Sequence, residues 1–212
     1  MRKRSPMVVL LAVAVHLCVS YAQAQIGDFR GLPWGASKDD VIKVEGNKTL
    51  DRSTTPLWAA PSALVLGSPG LDSLVYAGKA GDLDCVYAFY FAGDKLVQGR
   101  CVFSEKHTDA NLYIDDFQAV NTLLTEEYGK PEEDGMMWSD DRYKGDRANW
   151  GKAVAEGHLA YHALRRLPDT AVMHQMRGIN NEPLHAIQYE SMIKEHLDLV
   201  REAREKAKAK IR

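Results

Sequence analysis

The stretch from Leu83 to Phe103 constrains the fold more than any other part of the chain. Its first arm, residues 83–91, is rich in aromatic and β-branched side chains, which suit a half-buried strand. A short connection containing glycine, residues 92–94, leads into a second apolar arm, residues 95–103. This pattern is typical of a β-hairpin. It predicts an antiparallel sheet around which the other elements can be placed.

The length of the hairpin loop sets the pairing of its two cysteines. If residues 92–94 form a three-residue loop, counting back in pairs places Cys85 directly opposite Cys101. Opposed Cβ atoms lie about 4.5–5.5 Å apart, near the 3.5–4.5 Å of a disulfide, so we expect a Cys85–Cys101 bridge. A two-residue loop would offset the cysteines and turn them to opposite faces. The alternative is a pair of buried free thiols, whereas a catalytic dithiol is disfavoured because there is no Cys-x-x-Cys motif.

The N-terminus has the three parts of a secretory signal peptide. Residues 2–4 are basic, residues 7–19 are apolar, and residues 22–24 (Ala-Gln-Ala) fit a cleavage site. The apolar part is shorter than a transmembrane helix needs. We therefore expect residues 1–24 to be removed and the mature chain to be periplasmic or secreted, with no transmembrane segment. Such a compartment is oxidising, which suits the disulfide.

Charge limits the classes of partner. The formal net charge is −2, and loss of the three basic residues of the leader would make it −5. An acidic body argues against nucleic acid as a partner, and solubility alone explains such a charge. Another envelope protein is the partner that we expect, and the oligomeric state is left open.

Further elements are predicted on both sides of the hairpin. Ser37 and Asp40 fit a capping box at the start of a short helix that ends near Gly46. A strand over residues 71–79 completes a three-strand meander with the hairpin, and residues 62–66 fit another short strand. A helix over residues 109–128 is indicated by a stripe of apolar residues spaced three or four apart. The stripe comprises Tyr113, Phe117, Val120, Leu124 and Tyr128.

The second half repeats this order of helix and strands. A short strand over residues 136–138 and a short helix over residues 148–156 follow the long helix. Three strands then form a second meander, over residues 161–167, 170–177 and 184–190.

These elements predict an α+β fold made of two halves, each a helix followed by an antiparallel meander, with the helices on one side of the sheet. One domain covers residues 25–191, with halves at about residues 25–106 and 107–191, and a charged helical tail covers residues 192–212. The tail's apolar stripe includes Leu197. Whether the halves form one continuous sheet or two sheets face to face is left open.

Several segments carry a resemblance to known proteins. The opening, residues 29–37 (Phe-Arg-Gly-Leu-Pro-Trp-Gly-Ala-Ser), resembles the start of many uncharacterised bacterial secreted proteins with a Pro-Trp-Gly-x-Ser segment before a short helix. Residues 91–96 and 128–131 fit the same pattern. A helix ending in Gly-x-Pro before a meander is also distantly similar to the outer-membrane assembly lipoprotein BamE and to β-lactamase-inhibitor repeats. These resemblances imply protein binding across a sheet face, not catalysis.

Candidate metal ligands are few. If Asn180 and Asn181 form a loop, His174 and His185 become diagonal neighbours on one sheet face, roughly 7–8 Å apart. With a carboxylate such as Glu190 they could bind a metal, but zinc takes three or four ligands, so solvated strand histidines are the favoured interpretation. The chain also has no Gly-x-Ser-x-Gly motif and no phosphate-binding glycine loop. We therefore expect no cofactor and favour a protein that is not an enzyme.

Two tryptophans are candidates for a binding surface. Trp58 lies in a proline-containing segment predicted to be a loop, and Trp34 lies in the opening motif. The leading hypothesis is a non-catalytic protein-binding or scaffold module. The alternatives are a small-molecule or lipid carrier with a cleft between the halves, and a metal-dependent enzyme built on the strand histidines. An apolar cavity between sheet and helices would favour the carrier, whereas a filled core with an exposed aromatic patch would favour protein binding.

Overall fold

The structure, a computed structural model, describes residues 29–47 and 68–210. The predicted leader (1–24), the possible strand over residues 62–66 and Trp58 lie outside the described residues. The strands are β1 (Asp72–Ala80), β2 (Leu83–Ala92), β3 (Lys95–Phe103), β4 (Glu133–Trp138), β5 (Leu159–Arg166), β6 (Thr170–Ile179) and β7 (Glu182–Ser191). The helices are α1 (Lys38–Glu45), α2 (Leu112–Tyr128), α3 (Trp150–Ala155) and α4 (Lys194–Ala209).

One antiparallel sheet contains all seven of these strands, in the order β1-β2-β3-β7-β6-β5-β4. Strands β1 to β3 form the first predicted meander, and β4 to β7 form the second, which has four strands. The two meanders are joined where β3 pairs with β7, for example at Cys101 and Ile187. The α+β class is therefore confirmed, and the halves share one continuous sheet.

The predicted loop of the central hairpin is wrong. The turn has two residues, Gly93 and Asp94, because Ala92 pairs directly with Lys95. Gly93 has a φ of 65°, a left-handed conformation that glycine adopts without steric cost.

The predicted hairpin register is wrong as well. Tyr87, not Cys85, lies opposite Cys101, and Cys85 lies opposite Phe103. The register shifts between the pairs Tyr90–Gln98 and Phe91–Leu96, because β3 carries one extra residue, Val97, at this point. This bulge compensates for the shorter loop, so the two cysteines share a face as diagonal neighbours instead of pointing to opposite faces.

Helix α1 begins at the predicted capping box. The Ser37 side chain accepts a hydrogen bond from the Asp40 backbone N–H, and the Asp40 carboxylate accepts one from the Ser37 backbone N–H. Hydrogen bonding to Ser37 lowers the pKa of Asp40 to about 2. The helix ends before Gly46, as predicted.

Helix α2 lies on the sheet through the predicted stripe. Its buried residues are Ile114, Phe117, Val120 and Leu124. They contribute to two clusters on the same side of the sheet, one with β2, β3 and β7 and one with β5, β6 and α3. A third cluster of strand residues, including Tyr90 and Leu184, lies on the opposite face.

Helix α4 confirms the predicted helical tail but not its stripe. His196 is the buried residue of this helix, whereas Leu197 is 41% exposed. The His196 ring hydrogen-bonds the Ser191 hydroxyl at 2.8 Å. No helix within residues 29–47 and 68–210 is both long and apolar enough to cross a membrane.

Candidate functional site

A cavity of about 310 Å³ lies between helix α2 and the sheet, and we call it the α2 cavity. Its floor comes from alternate residues of three neighbouring strands, including Tyr87, Cys101 and Tyr189. Side chains two apart on a strand point to the same face, so these residues all meet the helix. Its roof is the C-terminal half of α2, including Val120 and Leu124.

Phe29 brings an aromatic ring into the wall of the α2 cavity. Its ring centroid lies 5.1 Å from that of Tyr189 and 6.3 Å from that of Tyr87. Gly99 makes this packing possible, because a Cβ at that position would lie 2.4 Å from the Phe29 ring. The wall is therefore largely aromatic.

The rim of the α2 cavity is charged and reaches solvent. Arg30 stacks on the Tyr87 ring, with its guanidinium carbon 3.8 Å from the ring centroid. The same guanidinium donates to the Glu45 carboxylate, with Nη2 to Oε2 at 3.1 Å. Lys79 and Glu127 also line the rim. Arg30 is paired with Glu45 and Lys79 is paired with Asp84, and Glu127 adds a further carboxylate at the opening.

One of the two cysteines lies in the floor of this cavity, and the other belongs to the same buried cluster. Cys101 lines the cavity and Cys85 lies beside it, and both are buried free thiols. The interaction between the two thiols lowers the pKa of Cys85 and raises that of Cys101, where burial acts in the same direction. The predicted disulfide stays a prediction, but the register on which it was based does not apply.

The two candidate metal-binding histidines form a buried pair further along the helix–sheet interface. His174 and His185 are diagonal neighbours around the Asn180-Asn181 turn, as predicted. Their Nε2 atoms are 2.7 Å apart, so each imidazole is the hydrogen-bond partner of the other. Burial is the main cause that lowers the pKa of both, to about 3 for His185.

The surroundings of this pair are aromatic. The Phe117 ring stacks on His174 at 4.0 Å between centroids, and the Phe103 ring stacks on His185 at 4.1 Å. The prediction of solvated histidines is therefore wrong. No group of three or more potential metal ligands occurs among the described residues, and Glu190 instead hydrogen-bonds Gln98 and Gln188.

A buried arginine that the sequence did not reveal fixes α2 above this interface. Arg165 is 1% exposed and donates to the backbone carbonyl of Gly129, to the Asn121 side chain and to the Thr125 hydroxyl. Burial lowers the pKa of Arg165. The only signal in the sequence was the alternation of residues 161–167, which places Arg165 on the same side of the strand as apolar residues. Burial was not expected there, because arginine is rarely buried.

Trp34 packs against the core instead of standing free. Its indole N–H donates to the Thr170 hydroxyl at 2.7 Å, which ties the opening segment to the start of β6. Its predicted binding role, and that of Trp58, stay predictions.

Comparison with protein-family models, with curated proteins and with solved structures found no match. The resemblance to BamE and to the Pro-Trp-Gly-x-Ser proteins therefore stays a hypothesis, and the site is interpreted from its own geometry.

Proposed function

We propose that this chain is an exported, non-catalytic binding protein that holds a small aromatic anion in the α2 cavity. The observation that carries the proposal is the cavity itself, since an apolar space between sheet and helix is what distinguishes a carrier from a protein with a filled core. Its volume of about 310 Å³ is at the lower end for ligand pockets, about 300–1,000 Å³.

The lining supports an aromatic ligand body. The rings of Phe29, Tyr87 and Tyr189 stand at mutual angles, as in the edge-to-face contacts that aromatic groups prefer. A flat ring inserted among them would gain the same contacts. Val120 and Leu124 would cover it from the helix.

The rim supports an anionic group on the ligand. Arg30 has five N–H donors, of which Glu45 engages only part. Lys79 also lines the opening and is paired with Asp84. Glu127, on α2, adds a carboxylate to those of Glu45 and Asp84, so a ligand with several negative charges is disfavoured. A single carboxylate or sulfonate can accept hydrogen bonds from the remaining donors of Arg30.

Export is part of the proposal and is supported by the leader pattern of residues 1–24. A partner in the envelope, the leading hypothesis from the sequence, would use the open sheet face or the segment around Trp58, which lies outside the described residues. The geometry of the described residues favours the small ligand.

The test uses anilinonaphthalene sulfonate, an aromatic anion, as the probe with the purified full chain. We expect saturable binding with one probe per chain, measured by fluorescence and calorimetry. Val120→Phe should fill the cavity and abolish binding, whereas Thr122→Phe adds the same ring at an exposed position of α2 and should leave binding unchanged.

A second pair of variants tests the charge of the rim. Arg30→Gln should weaken binding of the probe by about tenfold, the loss of one charge-assisted hydrogen bond. Arg166→Gln is the matched control, because Arg166 is also paired with carboxylates but lies on β5. Urea unfolding of each variant checks that it is folded. Unchanged binding in folded Val120→Phe would refute the proposal.

A further inference from the structure

Cys101, in the floor of the α2 cavity, and Cys85 beside it are not a directly opposed pair. Cys85 and Cys101 are diagonal neighbours of an antiparallel pair, a relation with a typical spacing of about 7–8 Å between Cα atoms. A disulfide usually needs a Cα separation of about 4.4–6.8 Å. The two side chains still lie next to each other, because both point to the same face of the sheet and belong to the same buried cluster.

A metal ion between the two sulfur atoms fits this wider spacing. Two metal–thiolate bonds, each about 2.3 Å long for zinc, span a wider gap than a single S–S bond of about 2.04 Å. The described residues supply two sulfur ligands here. Zinc takes three or four ligands, whereas thiolates also select soft monovalent copper, which accepts two.

The surroundings suit the charge of such a complex. Two thiolates around one monovalent cation carry a net charge of −1. Arg30, which stacks on the neighbouring Tyr87 ring and is paired with Glu45, acts on Cys85 in the direction that favours the thiolate. The α2 cavity, which Cys101 lines, provides a route from solvent to the buried sulfur atoms.

We propose that Cys85 and Cys101 form a two-sulfur binding site for a soft monovalent cation, Cu(I). Binding is an exchange without electron transfer. Two S–H bonds break, two S–Cu bonds form, and two protons leave to solvent. The inference rests on the two sulfur atoms and not on the proposed ligand. The copper site can therefore fail without the ligand site, and the ligand site without the copper site.

The experiment titrates Cu(I) into the reduced full chain, without oxygen, against a chromophoric Cu(I) chelator. Cys18, which lies outside the described residues, is replaced with serine in every sample to remove its thiol. We expect one Cu(I) per chain. Cys85→Ser and Cys101→Ser should each weaken binding by about 100-fold or more, since each removes one of the two ligands.

X-ray absorption at the copper edge, recorded on the Cys18→Ser protein, does not depend on the folding of the cysteine variants. Two sulfur neighbours at the metal are expected. Nitrogen or oxygen neighbours, or equal affinity in the Cys85→Ser/Cys101→Ser double variant, would refute the site. So would failure of the fully reduced chain, with both thiols verified by alkylation, to bind one equivalent of Cu(I).

Discussion

The imidazoles of His174 and His185 are partners of each other inside the core. Only one proton can lie between two Nε2 atoms 2.7 Å apart, so one ring donates and the other accepts. Each ring is also stacked on a phenylalanine, which leaves the pair little access to water. A proton added to either ring would place a charge in this apolar environment, and the charge of Arg165 opposes it further at His174. The pair is therefore a neutral structural contact.

This neutrality predicts a stability that falls with acid. The pKa of both histidines is lowered in the folded chain, so the unfolded chain binds more protons below its ordinary value of 6.5. The stabilising contribution is complete above pH 6.5 and is lost as the pH falls toward the folded value of about 3 for His185. Within that window each histidine should reduce the free energy of unfolding by about 1.4 kcal/mol per pH unit.

Urea unfolding of the wild type between pH 7 and pH 4 measures this slope. The His174→Phe/His185→Phe variant should have a shallower slope, because its carboxylates still titrate but the buried imidazoles are gone. Equal slopes in the two proteins would show that the histidines are not buried neutral.

Helix α2 is positioned by its apolar stripe and by Arg165. The stripe brings the helix to the sheet, and Arg165, from β5, then hydrogen-bonds groups in the last turns of α2 and at Gly129 beyond it. A helix C-terminus has carbonyl groups without partners inside the helix, and a cation there is favourable. The arginine therefore fixes the end of the helix that roofs the α2 cavity.

Replacement of this arginine should loosen that end of the helix. Arg165→Met removes the donors and leaves several partly buried acceptors unpaired, so we expect a loss of about 2–3 kcal/mol in the free energy of unfolding. Hydrogen exchange should also become faster at the C-terminal turn of α2. The measurements are urea unfolding and amide hydrogen exchange.

Arg166→Met is the control for this prediction. Arg166 is the next residue of β5, but it is exposed and is paired with Glu132 and Glu133 at the surface. A change within about 0.5 kcal/mol is expected, because exposed ion pairs contribute little. A similar loss in both variants would mean that the hydrogen bonds of Arg165 do not position α2.

Much of the secondary structure could be predicted, because it depends on local patterns. The capping box of Ser37 and Asp40, the stripe on α2 and the Asn180-Asn181 turn all act within a few residues. The cysteine register could not be predicted, because a bulge is set by packing across the sheet and has no reliable local signal.

At the scale of the whole molecule, the β3–β7 pairing makes the two halves one folded unit. It joins the meanders through backbone hydrogen bonds along five paired positions. The main cluster around Phe29 includes residues from both halves, among them Phe89 and Tyr189. Trp34 adds a contact from the first half to β6. Neither half can then unfold without exposing the core of the other.

We therefore expect a single cooperative unfolding transition. Two full-length variants, one retaining only Trp34 and the other only Trp150, report on the first and the second half by fluorescence. The two variants can differ in overall stability, which circular dichroism measures for each of them. Within each variant, the urea midpoint from fluorescence should coincide with the midpoint from circular dichroism. Two separate midpoints within one variant would indicate that the halves unfold independently.

The sequence by itself determined the α+β class, the order of most elements and the pairing of consecutive strands. These properties follow from period, capping and short turns, which involve neighbours along the chain. Only the tertiary structure decided that one sheet contains both meanders, that His174 and His185 are buried together, and that an aromatic cavity lies beneath α2. Those features depend on side chains from distant segments, such as Phe29, Tyr87 and Tyr189, whose meeting has no signature in the local sequence.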